Sequence, residues 1–307
     1  MKSLTISMIL TLSIIVVVLA LGGHSLATVP GPNGRIVWGS FNPDIGDADI
    51  YTANPDGAHE TRVAGPSECP RWSPDGSRIL LPGITIINWD GSNQVQFSSQ
   101  TTQNFGCAVW SPDGSRVAFE SWDDVDPSFV AGIFSMRSSD GGDLRRLTAS
   151  PFGTHDIPGD YSPDGTRLVF LRGQLLGSSH FKSAVFVANA DGTNPQQITP
   201  WGLNPGDFSP RWSPDGSRVV FVSAGSLFFV NPDGSGLHKV FQDTGRTIDL
   251  APAWSPDGAR LVFVRWGRVL QKALYTINAD GTGLAPVSAP HSSGPVGGAD
   301  WGTHSLQ

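Results

Sequence analysis

Three aspartates occupy the same place before a recurring aromatic residue: Asp156, Asp207 and Asp249 each stand five positions ahead of Tyr161, Trp212 and Trp254. Carboxylates brought together at one mouth of a fold would hold a hard divalent cation such as calcium, or a cationic side chain of a partner. They would equally serve as a solvated acidic rim or as helpers of a local turn. Ser67 and Phe105 take this offset before Trp72 and Trp110, so a ring of such acids is incomplete. His155 adjoins Asp156, and His180 and His291 fall in other long connections. Histidine beside carboxylate suits transition-metal binding or proton transfer, although no compact spacing of the H-E-x-x-H kind occurs. Trp122, Trp201 and Trp266 lie near "DDVD" (Asp123, Asp124, Asp126) or in connections of their own, and "DIGDAD" supplies Asp44, Asp47 and Asp49. Indole faces beside acids and amides fit sugar or peptide recognition, and they fit equally the capping of an apolar core. Neither G-x-S-x-G nor a P-loop is present, which excludes the usual nucleophile elbow and phosphate cradle.

The elements that must position these residues are repetitive. "WSPDG" begins at Trp72, Trp110, Trp212 and Trp254, with "YSPDG" at Tyr161, at intervals of 38, 51, 51 and 42 residues. Within each copy Ser accepts a local backbone bond, Pro presets φ, and Gly takes a conformation other residues resist. The Asp-Gly pairs Asp75-Gly76, Asp113-Gly114, Asp164-Gly165, Asp215-Gly216 and Asp257-Gly258 are therefore structural turns first and ligands second. "RILL", "RVAF", "RLVF", "RVVF" and "RLVF" follow them as unbroken apolar runs, the pattern of strands covered on both faces. A weaker cycle of Asp-Gly turns, ending at Gly57, Gly91, Gly141, Gly192, Gly234 and Gly281, supplies a second hairpin per unit.

Four strands per period of 40 to 50 residues is the signature of a propeller blade. Six second-hairpin turns face five complete S-P-D-G turns because one unit is split between the two ends. "NGRIVW" at Asn33 supplies one half, and "ADWG" at Ala299 supplies the other. The sequence thus predicts an all-β, six-bladed propeller over residues 28–307, four antiparallel strands per blade, its ring closed by the last strand completing blade 1. The unit "PRWSPDGSRILL … DG" resembles the WD-like repeats of TolB-family β-propellers over the whole of that stretch. The resemblance implies an exported bacterial propeller, and it implies little about activity. TolB itself carries an α/β domain ahead of its propeller, and here the first blade starts almost at residue 28.

Lys2, a long apolar run and Ser25-Leu26-Ala27 read as a secretory signal over residues 1–27, with an uncleaved anchor as the alternative. Both place the remainder outside the cytoplasm, periplasmic or secreted. There Cys69 and Cys107, each three residues before a repeat Trp, are candidates for a disulfide, the alternative being two buried thiols. The formal charge of −7 and the absence of a basic run argue against nucleic acid. The reading that follows is a monomeric scaffold that binds an extracytoplasmic protein, peptide or glycan through its long-loop face and requires no cofactor. A metal-assisted saccharide lyase or hydrolase at the channel mouth, using Asp156, Asp207, Asp249 and His155, is the alternative.

Overall fold

A computed structural model of the chain describes residues 30–97, 104–122, 131–151, 153–176, 180–206, 210–241, 247–267, 272–289, 291 and 294–307. The proposed signal over 1–27, together with Asp207, Asp123, Asp124 and Asp126, lies outside the described residues.

Six four-stranded antiparallel sheets form the fold. Blade 1 joins β24 (Pro295–Trp301) to β1 (Ile36–Asn42), β2 (Asp47–Ala53) and β3 (Thr61–Ala64). Blade 2 follows with β4 (Arg71–Trp72), β5 (Arg78–Leu81), β6 (Thr85–Asn88) and β7 (Val95–Gln96). Blade 3 has β8 (Asn104–Trp110), β9 (Arg116–Trp122), β10 (Gly132–Arg137) and β11 (Arg145–Arg146). Blade 4 has β12 (Thr154–Tyr161), β13 (Arg167–Leu176), β14 (His180–Asn189) and β15 (Gln196–Gln197). Blade 5 has β16 (Arg211–Trp212), β17 (Val219–Ser223), β18 (Ser226–Val230) and β19 (His238–Lys239). Blade 6 has β20 (Ile248–Trp254), β21 (Arg260–Trp266), β22 (Lys272–Asn278) and β23 (Ala285–Pro286).

The ring closes as the split repeat requires. β24 pairs antiparallel with β1, setting Ile36 opposite Trp301 and Val37 opposite Asp300. Backbone bonds of 3.0 Å from Gly34 to Gly302 and from Gly302 to Arg35 extend the ladder past the strand ends. This leaves the inner edge of blade 1 paired instead of open.

Each Ser-Pro-Asp-Gly turn is built from its own side chains. In blade 5 the Ser213 hydroxyl donates to Asp215 at 2.6 Å and accepts from the Arg218 amide at 3.1 Å. Asp215 also accepts from the amide and hydroxyl of Ser217, at 3.0 and 2.8 Å. The Gly216 amide donates to the Ser213 carbonyl at 2.8 Å, with φ of +69°, a conformation that favours glycine. The other four copies repeat the serine–aspartate bond at 2.6 Å.

The turn also aims the next residue but one. Arg78 lies 4.9 Å from the ring of Trp110, Arg167 4.6 Å from Trp212, Arg218 5.1 Å from Trp254 and Arg260 5.8 Å from Trp301. In each case an arginine of one blade covers the repeat tryptophan of the next. Two seams differ. Between blades 1 and 2, Arg35 turns into its own blade to Thr52 and His59, and His304 stacks on Trp72 at 5.4 Å and on Trp89 at 4.6 Å. Between blades 3 and 4 the repeat aromatic is Tyr161, and Arg116 bonds Ser135 and Asp143 instead. Apolar strand residues such as Phe119, Phe170, Phe221 and Phe263, all at most 1% exposed, fill the space behind these contacts.

Cys69 and Cys107 form a disulfide with Cα atoms 6.0 Å apart, tying the approach to β4 to β8 in the adjacent blade. The bridge closes a loop of 38 residues, so reduction lowers stability by about 4 kcal/mol by the chain-entropy relation, measurable by denaturant unfolding with and without reductant.

The turn aspartates give a second expectation. Burial pushes the Asp215 carboxyl up, but the bonds from Ser213 and Ser217 pull harder and leave it below its ordinary value. Asp75, Asp113, Asp164 and Asp257 are lowered in the same way. A carboxyl depressed in the folded state contributes stability above its unfolded value of about 4, and loses it as pH falls through the folded value. Asp215→Ala lowers stability by about 1–2 kcal/mol at neutral pH. It also flattens the acid limb of the stability–pH curve, which urea unfolding between pH 2 and 7 reads directly.

Candidate functional site

The innermost strand of each blade runs from the long-connection side of the ring to the tight-turn side, where Ser-Pro-Asp-Gly follows. Asp156 sits on β12 and Asp249 on β20, both 0% exposed. Sequence reasoning places these carboxylates at the channel mouth; the structure gives each of the two described ones an arginine partner in its own blade. Asp156 lies opposite Arg172 of β13 and receives its Nε and Nη2 at 2.6 and 2.8 Å. Asp249 lies opposite Arg265 of β21 and receives the same two donors at 2.7 and 2.8 Å. The arginines in turn lie over Phe170 and Phe186, and over Phe241, Phe263 and Tyr275. Each carboxylate is thus held inside its own blade by a planar bidentate partner, with both oxygens engaged.

That donor set does not fit a calcium or transition-metal site. A cation at Asp156 or Asp249 would have to displace a guanidinium from two charge-assisted bonds, and the described residues contain no cluster of three or more His, Cys, Asp or Glu side chains. His155 is half-buried on β12 opposite Gly173. His291 is bonded through Nδ1 to Glu60 and stacks on Tyr51 at 4.3 Å. Close by, Asp49 accepts from Arg62 and Asn42, both at 2.7 Å, and the Arg62 bond is the chief reason its carboxyl is held below the usual range. This His291–Glu60–Tyr51 group lies at the seam of blades 6 and 1, away from Asp156.

The tryptophans also fall differently. Trp122 and Trp266 end strands β9 and β21 and do not stand in connections. Both are half-buried, and Lys272 Nζ lies 5.0 Å from the Trp266 ring. Trp201 opens a short 3₁₀ turn, Trp201–Leu203, and meets Phe186 edge-on at 5.9 Å, capping the core between blades 3 and 4.

A charged group on the axis is absent from the sequence-based list. The residue just before the repeat aromatic is Asp300, Arg71, Val109, Asp160, Arg211 and Ala253 in blades 1 to 6. Blades three apart carry matching types: acid facing acid, arginine facing arginine, apolar facing apolar. Arg211 bridges the two acids, 2.5 Å from Asp300 and 3.5 Å from Asp160. Asp300 also accepts from the Trp72 amide at 2.8 Å. Arg71 is 9% exposed, and its buried Nε has no hydrogen-bond partner among the described residues. Burial, and after it repulsion from Arg211, pushes its guanidinium down to about 9, with Asp300 and Asp160 opposing. The signal was available in the sequence as a fixed offset from the repeat, one place before Trp instead of five.

No family model matches the chain, and no curated protein matches it. Solved structures do. TolB from Acinetobacter baumannii aligns at a TM-score of 0.67 and 20% identity over 87% of this chain, which spans 66% of that one. A chain of a nidogen/laminin complex aligns at 0.65 and 11% identity, over 88% of this chain and 100% of that one. An oligogalacturonate lyase in complex with manganese aligns at 0.51 and 15% identity, over 83% and 74% of the two chains. At these identities the likeness is one of fold: a TolB-like six-bladed propeller shared by binding proteins and enzymes alike.

Breaking one intrablade ion pair tests its structural role. Asp156→Ala leaves the Arg172 guanidinium without its partner and lowers stability by about 3 kcal/mol, whereas Asp156→Leu with Arg172→Met recovers most of the loss. Guanidinium chloride unfolding of the two variants distinguishes them.

Proposed function

We propose that the protein is an extracytoplasmic binding propeller that presents its long-connection face to a protein, peptide or glycan. The observation that carries this reading is the pairing of Asp156 and Asp249 with arginines of their own blades, which makes these acids part of the frame. What the frame then offers outward on that side is aromatic. Trp122 and Trp266 stand half-buried at the strand ends, each a flat apolar face beside polar groups. The likeness to a chain of a nidogen/laminin complex supports recognition of a protein partner by such a disc. Residues 1–27 act as the export signal in this reading, so the mature chain begins at residue 28.

Replacing Trp122 or Trp266 with a photo-activatable amino acid in the exported protein tests the assignment, with Asp75 and Asp215 on the tight-turn face as controls. Adducts arise from the tryptophan positions and not from the controls. Equal yields from both faces, or none from the first, would overturn the proposal.

The likeness to the manganese-bound lyase favours the second reading, a metal-assisted saccharide lyase or hydrolase. In the binding reading, calcium and manganese leave the melting temperature unchanged, because no engaged carboxylate is released to them. A rise of several degrees in the parent that Asp156→Ala removes would establish the lyase reading instead.

A further inference from the structure

Three arginines are buried among the described residues: Arg35, Arg71 and Arg211. A guanidinium taken out of water is costly unless opposite charge or hydrogen bonds replace its hydration. Two of the three are provided for inside the fold. Arg35 donates through Nη2 to the Thr52 hydroxyl and the His59 carbonyl, at 2.9 and 2.6 Å. Arg211 holds Asp300 and Asp160. Arg71 has neither. Its guanidinium makes no hydrogen bond and no ion pair among the described residues, although Nε is fully buried.

The repeat pattern shows how this arises. Asp300 and Asp160 stand three blades apart, as do Arg71 and Arg211, so the axis holds one acid for each arginine. Arg211 takes both, and the Trp72 amide donates a further bond to Asp300. In blade 3, on the other side of Arg71, the axial residue is Val109, which offers no charge. Burial and repulsion from Arg211 work against the Arg71 cation more than Asp300 and Asp160 support it.

The surroundings of Arg71 leave room for a ligand's charge. In β24 the position three before the repeat aromatic is Gly298, where blades 2 to 6 carry Cys69, Cys107, Pro158, Ser209 and Ala251. A Cβ at Gly298 would stand 3.9 Å from Arg71 Nη1, so a side chain there would fill space that glycine leaves clear. Arg211 has a spare donor of its own, since its Nη1 is buried without a hydrogen-bond partner among the described residues.

We infer that Arg71 anchors a carboxylate-binding site on the propeller axis, its planar guanidinium taking the two carboxylate oxygens and Arg211 adding a second positive charge. A planar fork of donors fits a carboxylate better than it fits a spherical ion. Arg211 engages both axial acids, so the negative charge that Arg71 lacks is the one the ligand brings. The site lies inside the disc, apart from the aromatic surface proposed above, and does not depend on it.

Formate, the smallest carboxylate, is the probe, titrated into the folded chain with chloride holding the ionic strength constant. The Arg71 Nε–Hε resonance moves along a saturating curve, and the melting temperature rises with formate by mass action. Neutral formamide does neither. Arg71→Met, of similar length and without charge, removes the thermal response. Arg71→Lys keeps the charge but loses the planar fork, and weakens formate about 5- to 10-fold. The resonance in the parent reads the site even where a variant does not fold. A short peptide with a free C-terminal carboxylate, set against its amide, distinguishes the source. Binding as tight as formate assigns the site to chain termini, and weaker binding assigns it to small free acids. An unmoved Arg71 resonance in decimolar formate, or an equal thermal response in the parent and in Arg71→Met, overturns the proposal.

Discussion

A guanidinium resting on the aromatic ring of the next blade is the contact on which the ring depends. A four-stranded sheet cannot cover its own faces, so each blade is stable only against its neighbours. The Ser-Pro-Asp-Gly turn fixes both members of the contact at once. Its side-chain bonds set the tryptophan just before it and the arginine just after it, and the arginine is then aimed across the seam. One short motif therefore specifies a hairpin within a blade and a joint between blades. This explains why it recurs so faithfully while the connections on the other face vary in length and composition.

Where the motif is altered, the neighbouring structure shows how. Arg35, lacking a complete turn ahead of it, is buried by Thr52 and His59, and the vacated position over Trp72 is taken by His304. Burial lowers the His304 imidazole from its ordinary value, more than the bond with the Gly76 carbonyl raises it. A ring in that position does the arginine's packing as a neutral group. At the blade 3–4 seam Arg116 bonds Ser135 and Asp143, and a cavity lies beside Tyr161.

Much of the architecture was legible because turns and periodicity act locally. The blade count, the split first blade and the Asp-Gly hairpins all follow from residues within reach of one another along the chain. The partners of Asp156 and Asp249 were not legible for the opposite reason. Arg172 and Arg265 stand 16 residues downstream, and only the antiparallel register, with a bulge between Pro158 and Asp160, places them opposite. An acid at a fixed offset looks alike whether it faces a channel or an arginine on the next strand. The axial group of Asp300, Arg71, Asp160 and Arg211 was hidden in another way, since its members alternate in sign and resemble no single repeated residue. Only the circular arrangement shows that like types stand three blades apart.

The pairing of β24 with β1 has a kinetic meaning as well as an architectural one. A linear stack of repeats can fray inward from a terminal unit, losing one interface at a time. In this closed disc a blade is held from both sides, so its release requires two seams to part together. Escape from the folded state is then governed by one cooperative barrier and not by gradual erosion.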